Sequence, residues 1–389
     1  MMNRVDSPPN WDSQLDLFHG DVSPNLARLY ARLPWSGESA EYRLTGTVRG
    51  PFMQDRRTLP MTTPWQDLGA GPTMLAQARV TDPVCWSPEQ PAWYEAEITL
   101  QQAGTIVGTC RRNLVIRRLG DNGTRWRWDQ QLYRLTALAA DPAGKPVPAA
   151  RAGSAAEAAA EAAAELLDWA GLRSRELALV ERHFSPAAAV EAMHRGVPLV
   201  LWLDQQSPAS WMTLAREPAV TFAVLPTGDE RGEWLREHVP NVIRLERHSL
   251  QSVAQGQSVT ECQSDTERQS VTQGQSAVRR APWAQAIAVP AAELEQASET
   301  TTKWLISTLL TRDASDDEGS AGSGSAGSSG AGSSSAGSSS AGSSGAQRVP
   351  LVTLRENSAP ADAVQLEQTP GRLPTAGWLM LTQELLRNP

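Results

Sequence analysis

Residues 94–100, YEAEITL, alternate strictly: Tyr94, Ala96, Ile98 and Leu100 fall on one side, Glu95, Glu97 and Thr99 on the other. A period of two with one apolar face predicts a half-buried strand. QQAG turns the chain at Gly104 and TIVGTC runs back. NLVIRRL (113–119) predicts a further strand and YRLTGTV (42–48) an earlier one. Gly and Pro punctuate these runs, and no helical period intervenes between 40 and 120. The expectation is a small antiparallel β-sandwich over 40–120, with residues 1–39 as an N-terminal extension.

Beyond residue 130 the pattern changes to apolar runs alternating with helical periods. SAAEAAAEAAAELLDWA (154–170) predicts a helix, with Ser154 and Glu157 as a capping box and Gly171 as the C-cap. A strand at 176–184 follows. Then comes a helix with Ser185 as N-cap, Pro186 at its first position and Gly196 past its end, and a strand at 197–204. Helices at 208–216 and 230–238 precede strands at 219–226 and 241–247. A strand at 284–290, a helix at 291–311 and strands at 349–356 and 376–382 continue the series, which YRLTALA (133–139) opens. Short strand–helix–strand units imply parallel strands. Eight of them predict a (β/α)8 barrel over 121–389. The fold class expected is therefore multi-domain, a β-sandwich followed by a TIM-type barrel.

Two stretches interrupt that barrel. Gln-Ser recurs with a period of six from Gln251 to Gln275, and the following position (Val253, Val259, Asp265, Val271, Ala277) is not consistently apolar, which suits a surface loop better than a solenoid. Residues 319–346 contain only Gly, Ser and Ala, behind the acidic Asp313, Asp316, Asp317 and Glu318. Such compositions bury too little apolar surface to offset their ordering entropy, so 251–277 and 313–346 are expected to be disordered insertions. With them set aside the barrel is compressed, short of the ~250 residues typical of the fold.

Composition narrows the chemistry. A net charge of −8 disfavours a general electrostatic grip on nucleic acid. No apolar run approaches the ~20 residues of a membrane span. The N-terminal MMNRVDSPPNWDSQLDLF lacks the apolar core of a secretory leader, so a cytoplasmic location is expected. Three cysteines, none in a CxxC pair, support neither a disulfide framework nor a structural zinc site. No GxSxG, phosphate-binding glycine loop or HExxH occurs, which removes serine hydrolases, P-loop enzymes and zincins, and no cofactor is implied. Trp65, Trp86 and Trp93 could be sugar-stacking platforms or packing residues; nothing groups them on one face.

DPVCWSPEQPAWYEAEITLQQAG (82–104), then RRNLVIRR and GTRWRWDQQLYRLTALA, resembles the sandwich-to-barrel junction of glycoside hydrolase family 2. Trp86, Pro88, Pro91 and Tyr94 match its Trp-x-Pro-x-x-Pro-x-x-Tyr segment, with the Tyr one step nearer than in some members. LALVERHFSP (177–186), GVPLVLWLD (196–204) and AREPAVTFAVLP (215–226) are similar to its barrel strands two, three and four, in that order. The resemblance implies that the sandwich over 40–120 is immunoglobulin-like; with only about 40 residues before it, no separate N-terminal sugar-binding sandwich of the family is expected. The resemblance implies a carbohydrate ligand and a retaining mechanism, with an acid/base Glu in an Asn-Glu pair ending strand four and a nucleophilic Glu ending strand seven. Such pairs sit ~5–5.5 Å apart.

Residue by residue, those positions are not filled. Aligning Pro218-Ala219-Val220 puts Thr227 and Gly228 at Asn-Glu, with Glu230 two residues on; Glu230 reads either as a shifted acid/base or as a first-turn helix residue favoured by the dipole. At strand seven Arg355 takes the nucleophile place and Glu356 follows it, a one-residue slip that should reverse the face. Of the remaining candidates His183, Asp204 and Trp378 each carry two readings. His183, at the end of strand two, contacts sugar or is a satisfied polar group. Asp204 binds a sugar hydroxyl or caps the next helix. Glu246, with His248, ends strand five, and Trp378 lines the pocket floor or the barrel core. The resulting expectation is a degenerate, catalytically inactive relative with a carbohydrate-binding or scaffolding role. Its alternatives are an active retaining glycosidase using Glu230 and Glu356, and an interaction protein acting through its low-complexity segments.

Overall fold

The structure, a computed structural model, describes residues 11–34, 42–70, 73–139, 169–250, 280–297, 301–302, 305, 309–312, 347–356 and 375–381. The expectations for 251–277 and 313–346, and for the helix over 154–168, lie outside these residues.

Two four-stranded antiparallel sheets come first. A short helix, α1 (Trp11–Gln14), leads into β1 (Asp16–Val22) and β2 (Leu26–Pro34). These join β5 (Gln66–Ala70) and β6 (Thr73–Thr81) in the order β1-β2-β6-β5. The second sheet, in the order β4-β3-β7-β8, contains β3 (Tyr42–Phe52), β4 (Met61–Pro64), β7 (Trp93–Gln102) and β8 (Thr105–Leu114). Their facing side chains form one core: Leu29, Leu33, Met74, Leu44, Val48, Tyr94, Ile98 and Leu100. Strands β1 and β2, within the first 39 residues, belong to this sandwich. In β2 Ala27, Leu29, Ala31 and Leu33 alternate inward, and each pairs with a residue of β6.

A correction concerns 113–119, which is not one strand. Strand β8 stops at Leu114 and β9 (Leu119–Asp121) starts a separate ribbon with β10 (Trp126–Trp128) and β11 (Gln131–Tyr133). Between them the chain leaves the sandwich for the barrel: Ile116 packs in the sandwich core, Val115 in the layer around the barrel. The ribbon puts Trp126 into the barrel interior, edge-on to Phe222 at 5.6 Å between ring centroids.

The barrel is closed by β12 (Leu135–Ala139), β13 (Ala178–Glu181), β14 (Leu199–Trp202), β15 (Val220–Pro226), β16 (Ile243–Arg247), β17 (Ala286–Pro290), β20 (Leu351–Glu356) and β21 (Gly377–Leu381). A two-stranded ribbon, β18 (Thr311–Arg312) with β19 (Gln347–Arg348), lies outside it. All eight expected strands are present, and every neighbouring pair is parallel. The barrel interior is filled by alternate residues, among them Val180, Val200, Trp202, Phe222, Val224, Leu245, Ala288, Val352, Leu354 and Leu379. Leu179, Leu201, Ala223 and Leu225 belong to the outer layer instead.

The helices are shorter than expected except where caps are strong. In α3 (Pro186–Arg195), Ser185 Oγ accepts from the Ala188 N–H at 3.1 Å, and Gly196 closes the helix at φ +73°. A Cβ on Gly196 would lie 2.7 Å from the Pro88 carbonyl oxygen, so this glycine also lets barrel and sandwich meet. Gly171 does not end a helix, because α2 (Trp169–Ser174) runs through it. Helices α4 (Trp211–Ala215), α5 (Arg231–His238) and α6 (Ala291–Gln296) complete the described set, the last stopping at an extended Ala297.

Polar groups join the two halves. Asp16, fully buried on β1, takes Arg32 at 3.0 Å, Arg216 at 2.9 Å and His238 at 2.9 Å. His19 accepts no proton easily: burial pushes its imidazole down to about 4, and the Arg117 charge adds to this, against the opposing hydrogen bond to Gly20. Its neighbour Asn241 donates to the His19 carbonyl at 2.8 Å. An unfolded histidine titrates near 6.5, so between pH ~6.5 and ~4 only the unfolded chain takes up this proton. Stability should therefore fall as pH drops through that window, by at most ~3 kcal/mol from this group. Urea midpoints measured at pH 7 and 4.5 should converge in His19→Gln relative to wild type; an unchanged acid slope would refute the assignment.

Candidate functional site at the barrel mouth

Barrel sites are built where strands end, so the C-terminal face is the place to search. Inward alternation carries on beyond the strands. Past Val180 comes Arg182, past Trp202 comes Asp204, and past Leu245 comes Arg247. Arg182 Nε donates to Asp204 Oδ2 at 2.7 Å, and Asp204 is 1% exposed. The other oxygen, Oδ1, accepts from the Gln206 N–H at 2.8 Å. Asp204 therefore shapes its own loop, while α4 begins without a side-chain cap. Arg247 lies over the Trp202 ring at 4.9 Å. Burial lowers its pKa, with Asp204 opposing and Arg182 reinforcing the shift.

Strand four ends in Pro226-Thr227-Gly228, with no acid. Asp229, next along, is gripped by Arg231, whose Nε lies 3.0 Å from both carboxylate oxygens, and Arg231 Nη1 donates to the Asp204 carbonyl at 2.9 Å. Glu230 is exposed at the start of α5 and makes no capping hydrogen bond.

Glu246 is fully buried but lies on the outer parity of β16, between the inward Leu245 and Arg247. Its Oε1 accepts from the Gly228 N–H at 3.0 Å and its Oε2 from the Ala281 N–H at 2.8 Å. His248 Nε2 is 3.1 Å from Oε2, at an angle that makes no hydrogen bond. Thr227 Oγ1 donates to the Arg247 carbonyl at 2.7 Å and lies 3.4 Å from His248 Nδ1. This group ties the end of strand four to the end of strand five.

Other candidates are not brought to the mouth. His183 is exposed beyond the end of β13. Trp378 is the second residue of β21, toward the opposite end of the barrel, where Arg134 stacks on it at 4.2 Å. Glu356 is the last residue of β20, paired with Leu381, and shares parity with the inward Val352 and Leu354. Arg355 has the opposite parity. Along strand seven the backbone alternation thus groups position 356, and not 355, with Val352 and Leu354.

Sequence reasoning missed Arg182, Arg231 and Arg247. For Arg182 and Arg247 the signal was the inward period of two continued past the strand end; Arg231 instead opens α5. It also missed Glu181, the last residue of β13, whose carboxyl is pushed up to about 7 by burial. Glu181 sits on the outer parity with Leu179, away from the mouth. Trp65 and Trp86 are buried and Trp93 packs on His194 at 4.2 Å, so all three serve packing. Among the described residues no cluster of three or more His, Cys, Asp or Glu could hold a metal, and no helix is long and apolar enough to cross a membrane.

No protein-family model and no curated protein matches the chain. Among solved structures it is similar to a beta-glucuronidase from Bacteroides uniformis, with 14% identity, a TM-score of 0.45, and 76% of this chain covered against 38% of that one. A beta-glycosidase from Bacteroides vulgatus gives 12%, 0.43, 60% and 33%. The Parabacteroides merdae beta-glucuronidase gives 15%, 0.40, 60% and 33%. The chain spans less than half the length of each. Its own architecture is antiparallel sheets joined to a closed barrel of eight parallel strands.

Proposed function

We propose that this chain is a glycoside-hydrolase-like protein that binds carbohydrate at its barrel mouth without cleaving it. The observation that supports this reading most is the end of strand four, where Thr227 and Gly228 stand and no acid is available to protonate a leaving group. Nearby carboxylates do not substitute. Asp204 and Asp229 are engaged by Arg182 and Arg231, and Glu246 is turned to the outer layer. A retaining mechanism requires both partners at fixed separation, so losing one is sufficient.

The purified protein should show no turnover of aryl β-galactosides, β-glucosides, β-mannosides or β-glucuronides. One observation favours the second reading, an active retaining glycosidase: position 356 ends strand seven on the inward parity. If any of these substrates is hydrolysed, and Glu356→Gln or Glu230→Gln abolishes it, that reading replaces the first.

A further inference from the structure

At the opposite end of the barrel, the sandwich leans on the turns that precede strands four and five and leaves a cavity of ≈ 50 Å³. Phe18, Arg112, Arg117, Arg216, Glu217 and Asn241 are among its walls. Three arginines and a single carboxyl-bearing residue therefore line it.

Arg117 is the unusual member. It is 6% exposed and forms no ion pair among the described residues. Its Nη1 donates to the Val220 carbonyl at 2.9 Å and to Thr221 Oγ1 at 2.7 Å, and its buried Nε has no hydrogen-bond partner among the described residues. Both bonded partners are neutral. The adjacent ring, His19, is neutral as well, since burial holds its pKa near 4. Burial lowers the Arg117 pKa to about 10, which still leaves it charged at neutral pH. Taking a charge out of water without a counter-ion costs several kcal/mol.

The neighbouring groups do not supply that counter-ion. Arg216 spends its charge on Asp16 at 2.9 Å, and Asp16 is already shared with Arg32 and His238. Arg112 forms no ion pair among the described residues, and its Nη2 donates to the Asp12 carbonyl. Glu217 is half-buried, and burial raises its pKa against the pull of Arg112. Arg244, a second buried arginine, shows what a self-sufficient case looks like. Its Nε donates to the Trp283 carbonyl at 2.9 Å and Nη1 to that of Val242 at 3.0 Å, and it is not among the residues lining this cavity.

We infer that this junction cavity is an anion site: a small oxyanion, or the carboxylate or phosphate head of a ligand, binds between Arg117 and Arg112 and braces the sandwich against the barrel. Size sets the class. At about 10–15 Å³ for each water-sized centre, the cavity holds a few water-sized groups, enough for an oxyanion and too little for a sugar ring. The site lies at the far end of the barrel from the mouth, so it stands or falls independently of the carbohydrate reading.

The test is the melting temperature of the full chain in sodium phosphate, sodium sulfate and sodium acetate, each against sodium chloride at matched ionic strength. A saturable rise in phosphate or sulfate identifies a tetrahedral oxyanion; a rise in acetate alone identifies a carboxylate head. Arg112→Gln should weaken that binding about tenfold, the loss of one charge-assisted contact worth ~1.4 kcal/mol. Glu217→Gln, which removes the one carboxyl in the wall, should tighten it. Both side chains are only half-buried, so both variants should fold. If no anion exceeds chloride, or if both variants bind like wild type, the inference is wrong.

Discussion

Asp16→Ala should lower the unfolding free energy by about 3–5 kcal/mol, the range for removing one partner from a buried charge network. The reasoning starts from its environment. Asp16 has no solvent exposure and faces Arg32, Arg216 and His238 at 2.9–3.0 Å. Arg32 comes from the same sheet, whereas Arg216 and His238 follow α4 and end α5 on the barrel. Alanine would leave these basic groups crowded together with no carboxylate between them. Because the contact joins both halves, the variant should also unfold in two steps where wild type unfolds in one. Urea denaturation followed by tryptophan fluorescence and by far-UV circular dichroism would show this. A loss below about 1 kcal/mol, as for a surface ion pair, would contradict the account.

Trp86→Ala should cost a similar ~3–5 kcal/mol, for a different reason. Its side chain is 0% exposed, its ring lies 5.5 Å from that of Trp128, and its Nε1 donates to the Met193 carbonyl of α3 at 2.8 Å. Trp128 Nε1 in turn donates to the Trp86 carbonyl at 2.9 Å. Truncation leaves a cavity lined by groups held from both sides, which cannot collapse freely. Trp86→Phe retains most of the apolar contact and loses one hydrogen bond, so it should cost about 1–2 kcal/mol. Equal losses in the two variants would show that the hydrogen bond, not ring burial, dominates.

The barrel was legible because its strands are short apolar runs between helix caps, and each run is long enough to be read alone. Ser185, Pro186 and Gly196 fixed one helix outright. The N-terminal strands were legible too: LARLYARLP alternates as clearly as YEAEITL. Nothing local connects Asp16 with Arg216 or His238, which lie some two hundred positions away. That contact depends on how two separately readable units meet. The site was read less well because facing depends on register. Whether 355 or 356 looks inward is decided by Val352 and Leu354 in the closed barrel, and a sequence aligned to a motif alone does not contain that choice.

The barrel closes where Leu135–Ala139 lies beside Gly377–Leu381, with Leu135 opposite Gly377 and Leu138 opposite Met380. This seam joins the first barrel strand to the last, so it is the ring contact with the greatest sequence separation. During synthesis every strand of both sandwich sheets is available once Leu114 has emerged, but the ring must wait for the final strand. Such long loop closures are slow. A chain stopped before residue 377 would retain both sheets of the sandwich and present β12 and β20 as two open edges, apolar and ready to pair with a neighbour. Premature termination near the end should therefore yield aggregates, whereas loss of the whole barrel after residue 134 removes those edges altogether.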